Sequence, residues 1–284
     1  MKVRTKRRPV QNTRRPVLRV DPTRSVMLRR RFAVELRRRF ARLKLKVVNL
    51  VLGEDAFGLK PRPTLLVNER WAYHSDNDKV RAFRDWLRTQ IDQDISDEAL
   101  WHRYVQEGFA KGAARAFDDV RPKPFIHERA LFHDGEKREF LRTSLGRPVA
   151  VEKVKLLVSR GFDDLDDVTG TMANRMVRHL ADGLVQGKGP REIAREMAGD
   201  IDGIGYRRAE TIARTEIIRA HAEGQIQALE DLGVEELGVQ VEWATSGLGE
   251  TALGNPSPCE LCAPMEGRVF TLEEARGLIP FHPN

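Results

Sequence analysis

Apolar residues along this chain fall mostly at helical spacing. Ala33, Leu36, Phe40, Leu43, Val47 and Leu50 recur at steps of three and four, a seam of coiled-coil type. Such a seam wants a partner helix, from this chain or from another copy, which leaves self-association through residues 33–50 as one of two readings. Asp21-Pro22 ahead of it reads as a helix cap and first helical position. Residues 53–68, rich in Gly and Pro, form a connector with a short strand near residues 65–67. Val80, Phe83, Leu87 and Ile91 mark a second helix. Ser96 precedes a third, which carries Trp101, Tyr104 and Val105 and then Gly108-x-x-x-Gly112, the mark of two helices crossing closely.

Arg121-Pro-Lys-Pro124 breaks the pattern, and a domain boundary is placed between residues 122 and 148. A helix from Val149 through Leu156, Leu157 and Val158 is expected to end at Gly161. Another runs from about Leu165 to Val185 with Met172, Met176, Val177 and Leu180 inward, and Pro190 opens the next. Ala209, Ala213, Ala220 and Gly224, with Ile212 and Ile217 beside them, form a stripe of small residues on one helical face that admits another backbone. Leu232-Gly233 is a stop signal. Val239, Val241 and Trp243 then alternate with Gln240, Glu242 and Ala244, a short strand with one apolar face. A loop rich in Gly and Pro delivers Cys259 and Cys262. The expected fold class is mainly α, antiparallel helices with a small C-terminal strand-and-turn element.

Charge divides the chain. Residues 1–46 hold 18 Lys and Arg against Asp21 and Glu35, a balance of +16 within a total of +7, so the remainder is at −9. Residues 1–20 are basic, interrupted by proline and poor in large apolar groups, which predicts a disordered arm. Residues 21–148 read as an N-terminal helical region and 149–284 as a second domain. Clustered guanidinium groups suit phosphates, which makes Arg29, Arg30, Arg31, Arg37, Arg38 and Arg39 the candidate DNA-contacting residues. Two cysteines three apart do not make a disulfide framework. No apolar run approaches the roughly 20 residues of a membrane span.

The helix IARTEIIRAHAEGQ (residues 212–225), the strand ending in Trp243, Cys259-x-x-Cys262, the segment EGRVF and a closing His282-Pro283-Asn284 occur in one order. In that order they resemble the Mu F-like phage head morphogenesis family, the minor head proteins, over about residues 160–284. The family pattern continues past the His-Pro with Cys-Arg-Cys, whereas this chain stops at Asn284, so a truncated C-terminus is expected. The resemblance implies a head morphogenesis domain over residues 149–284. It implies association with portal and capsid proteins, location in the host cytoplasm during assembly and then inside the head, and packaged DNA as a further partner. It assigns no catalytic role. The family keeps the triplet Arg214, Thr215 and Glu216, which reads as a structural motif of buried or interfacial hydrogen bonds holding the helix against the strand.

Three motifs carry other readings. Cys259 and Cys262 with His282 supply three ligands of a structural zinc knuckle, the fourth being left to the family's missing thiolates. His221-Ala-Glu223 with Pro258-Cys259-x-x-Cys262 matches the residue pattern of zinc nucleobase deaminases, but lacks their placement of His and Glu at a helix start. Residues 201–212, with Gly203 and Gly205, look like a helix-hairpin-helix turn for a DNA phosphate, against the plainer reading of a Gly-rich turn between packed helices. A DNA-binding module and a deaminase therefore stand as alternatives to the assembly protein.

Overall fold

The computed structural model describes residues 2–5, 23–60, 73–120, 137–234, 238–245, 260–276 and 278–279. Strand β1 (Lys2–Thr5) is followed by helix α1 (Val26–Val48), which runs into a π-helical turn (Asn49–Gly53), then by α2 (Asp76–Asp94), α3 (Glu98–Val120) and α4 (Lys137–Gly146). Helix α5 (Pro148–Gln186), α6 (Pro190–Asp200), a second π-helical segment (Ile201–Gly205) and α7 (Tyr206–Asp231) come next. Strands β2 (Val239–Glu242) and β3 (Val269–Phe270) and helix α8 (Leu272–Ala275) complete the set. The fold is mainly α, with one small antiparallel sheet of order β1-β2-β3.

The chain divides into two compact units. The first comprises residues 1–30, 101–158 and 214–284, and the second residues 31–100 and 159–213. This division does not follow the sequential one at residue 148, because each unit draws on both halves of the chain.

In the first unit a single apolar cluster joins Ala113 and Phe117 of α3, Ile226 and Leu229 of α7, Val239 and Val241 of β2, and Leu272 and Ala275 of α8. The alternation in β2 places Val239 and Val241 inward, with Gln240 and Glu242 half-buried. Helix α7 stops where expected. Gly233 takes φ +61°, which glycine adopts without steric cost, and its N–H donates to the Glu230 carbonyl at 2.8 Å.

Residues 2–5, expected in a disordered arm, instead pair with β2 in a register running from Lys2↔Glu242 to Thr5↔Val239. A sheet edge presents unpaired N–H and C=O groups to any segment that can extend alongside it, so basic composition alone does not keep a segment out of a strand. Residues 6–20, Asp21-Pro22 and the expected strand at 65–67 lie outside the described residues.

In the second unit the six seam residues of α1 and its π-helical turn are all buried within the single chain. The seam is therefore covered within the chain itself, the first of the two partners its spacing allows. Elements of the same chain compete for that face at high effective concentration. Helix α2 is capped by Ser75, whose Oγ accepts from the Asp78 N–H at 3.2 Å, and it buries Phe83, Leu87 and Ile91. Phe57 meets the Phe83 ring edge-on at 5.7 Å.

Helix α5 does not end at Gly161, which is buried inside one continuous helix from Pro148 to Gln186. A glycine in a helix interior costs only about 1 kcal/mol, less than burial of Leu157, Val158 and Leu165 around it contributes. Gly187, at φ +64°, reverses the chain into α6. His179 Nε2 then lies 2.9 Å from Asp200 Oδ2, and Lys188 donates to Glu196 at 2.7 Å, so α5 and α6 run antiparallel.

Candidate functional site

Helix α7 carries the residues of the head-morphogenesis resemblance, and its body within the first unit is buried on nearly every side. Two glycines make this packing accessible. A Cβ on Gly112 of α3 would stand 1.9 Å from the His221 carbonyl oxygen, and one on Gly224 would stand 2.0 Å from that of Phe109. The two backbones therefore touch, as the small-residue stripe and the Gly108/Gly112 pair predict.

A helix enclosed in this way must satisfy its polar side chains internally. Glu216 is 2% exposed and Arg219 9% exposed, and Arg219 Nη1 donates to Glu216 Oε1 at 2.7 Å. Thr215, His221, Gln225 and Gln227 are buried on the same helix, while Arg214 is half-buried. Of the expected triplet, Glu216 thus finds its charge partner one turn along its own helix. Sequence reasoning missed Arg219; the spacing of three from Glu216 was the available signal.

The outer side of the same helix is an ion-pair clamp. Arg276 donates to Glu223 at 3.2 Å and also to Glu230. Lys153 of α5 donates to Gln227 at 2.5 Å, and Asp231 accepts from Arg147 at 2.7 Å and from Ser144. These contacts tie α5 and the segment after α8 to α7.

Asp119 of α3 reaches the same helix. Its Oδ2 accepts from Arg115 Nε at 3.0 Å and, at 3.5 Å, from Gln225 Nε2. Burial pushes its carboxyl above the ordinary value, with Arg115 pulling the other way. A folded-state pKa above the unfolded one means that the native protein holds this proton more tightly. Stability from this group is therefore full below about pH 4, falls as pH rises through the raised value and stays flat above it. Asp119→Asn is expected to raise the thermal midpoint at pH 7 by a few degrees and to remove that part of the pH slope. Scans of both proteins across pH 4–8 that superimpose in slope would contradict the assignment.

The candidate DNA-contacting arginines are not equivalent. Arg37 Nη2 donates to Glu210 Oε2 at 2.6 Å, with its guanidinium 4.1 Å over the Tyr206 ring. Arg39 donates to Asp97 Oδ2 at 2.6 Å and to the Asp94 carbonyl at 2.7 Å. Arg29 is half-buried, whereas Arg30, Arg31 and Arg38 are exposed. Arg42, outside the candidate set, is exposed as well.

Residues 201–205 do not make a turn between helices. They form a π-helical segment continuous with α6 and α7, flanked by Asp200 and Tyr206 in right-handed helical geometry. A Cβ on Gly205 would lie 2.7 Å from the Phe40 ring, so this glycine serves close packing rather than a phosphate-binding hairpin. The turn expected at these residues is helical in the structure.

Of the expected zinc ligands, Cys259 and His282 lie outside the described residues, and Cys262 is half-buried just before a short 3-10 turn (Ala263–Met265). No group of three or more His, Cys, Asp or Glu side chains suited to a metal occurs among the described residues. His221 is 3% exposed in the body of α7 and Glu223 is bound to Arg276, so neither stands at a helix start as the deaminase pattern requires. No helix among the described residues is long and apolar enough to cross a membrane. Comparisons of the chain with protein-family models, with curated proteins and with solved structures find no match.

Proposed function

We propose that this chain is a minor head protein acting in phage head morphogenesis, associating with portal and capsid proteins in the host cytoplasm and remaining inside the head near packaged DNA. One observation supports this reading most. Segments that carry the resemblance in sequence, the helix containing Arg214 to Gln225 and the strand leading to Trp243, belong to the first unit, where α7 and β2 share one core. Their polar side chains act there as internal struts, Arg219 with Glu216 and Arg276 with Glu223. Such an arrangement suits a rigid assembly module.

The basic N-terminal segment supplies attraction to DNA without sequence preference. Because β1 belongs to the sheet, its contribution is best tested by neutralisation rather than deletion. A phage portal subunit co-expressed with this chain is expected to co-purify with it. Replacing Arg7, Arg8, Arg14 and Arg15 by Gln is expected to weaken duplex DNA binding and flatten its salt dependence while leaving portal association unchanged. Absence of portal association would sink the assembly reading. Zinc bound stoichiometrically and lost on His221→Ala, in a protein that stays folded, would revive the deaminase.

A further inference from the structure

Within the second unit, helix α1 has a second face. Opposite the buried seam, Arg31, Val34, Arg38, Ala41, Arg42 and Leu45 are all exposed, Val34 at 40% and Leu45 at 68%. At 3.6 residues per turn these six positions fall within an arc of about 100° and extend along about 21 Å of helix. The arc contains no acidic residue. Glu35 at its border accepts from Arg38 at 2.9 Å, yet the Arg38 side chain remains 67% exposed. Phosphates would explain the arginines but not Leu45 and Val34 between them. Alternating guanidinium and aliphatic groups fit a protein helix that presents carboxylates beside a hollow.

The same unit contains such a helix face. On α5, Asp163, Asp166, Asp167, Gly170 and Asn174 are exposed along one side. Among the described residues, no cation pairs with Asp163, Asp166 or Asp167. A Cβ at Gly170 would meet nothing within 4 Å, so the glycine leaves an open notch in that surface. The spacings match: Arg38, Arg42 and Leu45 advance by four and then three residues, as do Asp163, Asp167 and Gly170. Two helices laid side by side in the same direction bring Arg38 to Asp163 and Arg42 to Asp167, and seat Leu45 in the notch at Gly170.

We infer that the outer face of α1 docks on the outer face of α5 in a second copy of this chain. The two surfaces differ, so the contact is heterologous, and copies associate by exchange or in succession. This inference is independent of the portal reading, since it is measured on the purified chain alone.

Sedimentation equilibrium of the full chain provides the test. In about 0.05 M salt the wild type is expected to self-associate, and in about 0.5 M salt to do so at least tenfold more weakly. Arg38→Glu with Arg42→Glu is expected to weaken association at least tenfold, as is Asp163→Lys with Asp167→Lys. Mixing the two variants restores it by re-pairing opposite charges. Gly170→Leu fills open space, so its thermal midpoint should not fall, yet it closes the notch and blocks association. A wild-type chain that stays monomeric at about 100 μM in low salt overturns the inference. So does association that none of these variants weakens. A monomer whose α1 face instead binds a duplex of about 20 base pairs, with loss in the Arg38/Arg42 variant and none on Leu45→Ala, overturns it too and assigns the face to nucleic acid.

Discussion

Gly224→Ala is expected to destabilise the first unit severely. The added methyl would stand 2.0 Å from the Phe109 carbonyl oxygen and 2.9 Å from its Cα, and both are backbone atoms that no rotamer change moves aside. Helices α3 and α7 would have to separate at their closest approach, where Gly112 already meets the His221 carbonyl and a Cβ at Gly108 would lie 3.2 Å from Ala220 Cβ. Overpacking of this kind costs about 3 kcal/mol or more. Against a typical domain stability of about 5–15 kcal/mol, that is a large share. The intrinsic helix preference for alanine over glycine, about 1 kcal/mol, runs the opposite way and is outweighed. A built-in control exists: Gly170→Ala makes the same chemical change in open space and should be neutral or stabilising. Denaturant unfolding of both variants checks this, and a Gly224→Ala protein with the wild-type midpoint would show that the helices do not touch as described.

The second large effect is expected at Glu216 and Arg219. Both charges are withdrawn from water, with side-chain exposures of 1% and 11%, and they lie 2.7 Å apart. Glu216→Ala leaves the Arg219 guanidinium buried without its carboxylate, a loss of about 3–5 kcal/mol. Arg219→Met leaves the converse charge and should cost a similar amount. The double variant Glu216→Leu/Arg219→Met removes both charges and keeps much of the volume, so most of the loss should be recovered. Singles and double that lose stability additively, in urea titrations of all three, would mean that the pair is not coupled. A catalytic role for Glu216 would be insensitive to this rescue, whereas a strut depends on it.

The helices were legible because their signals are local. The seam of α1, the inward face of α2, Pro190 at the start of α6 and Gly233 after α7 each express a preference of a few neighbouring residues, and the structure realises all four. The small-residue stripe and the Gly108/Gly112 pair also announced a backbone contact, though not that they would meet each other. Other features were illegible for an equally definite reason. Gly161 and residues 201–205 look like interruptions, and only packing around them carries the helix through. The strand formed by residues 2–5 depends on an edge supplied more than two hundred residues later. At the candidate site, the sequence identified Glu216 but not its partner, and it could not separate Arg37 and Arg39, which reach carboxylates distant in sequence, from the exposed Arg30, Arg31 and Arg38.

By itself, then, the sequence determined the mainly helical class, which faces of α1 and α2 turn inward, and the concentration of positive charge toward the N-terminus. Periodicity, capping and composition are free-energy terms summed over residues close in the chain, so they can be read without coordinates. Tertiary structure alone decided which breaks are overridden, which strand completes the sheet, how two units share both halves of the chain, and which charges are neutralised. Each of these turns on contacts between residues far apart in sequence, where burial and pairing outweigh the local preference.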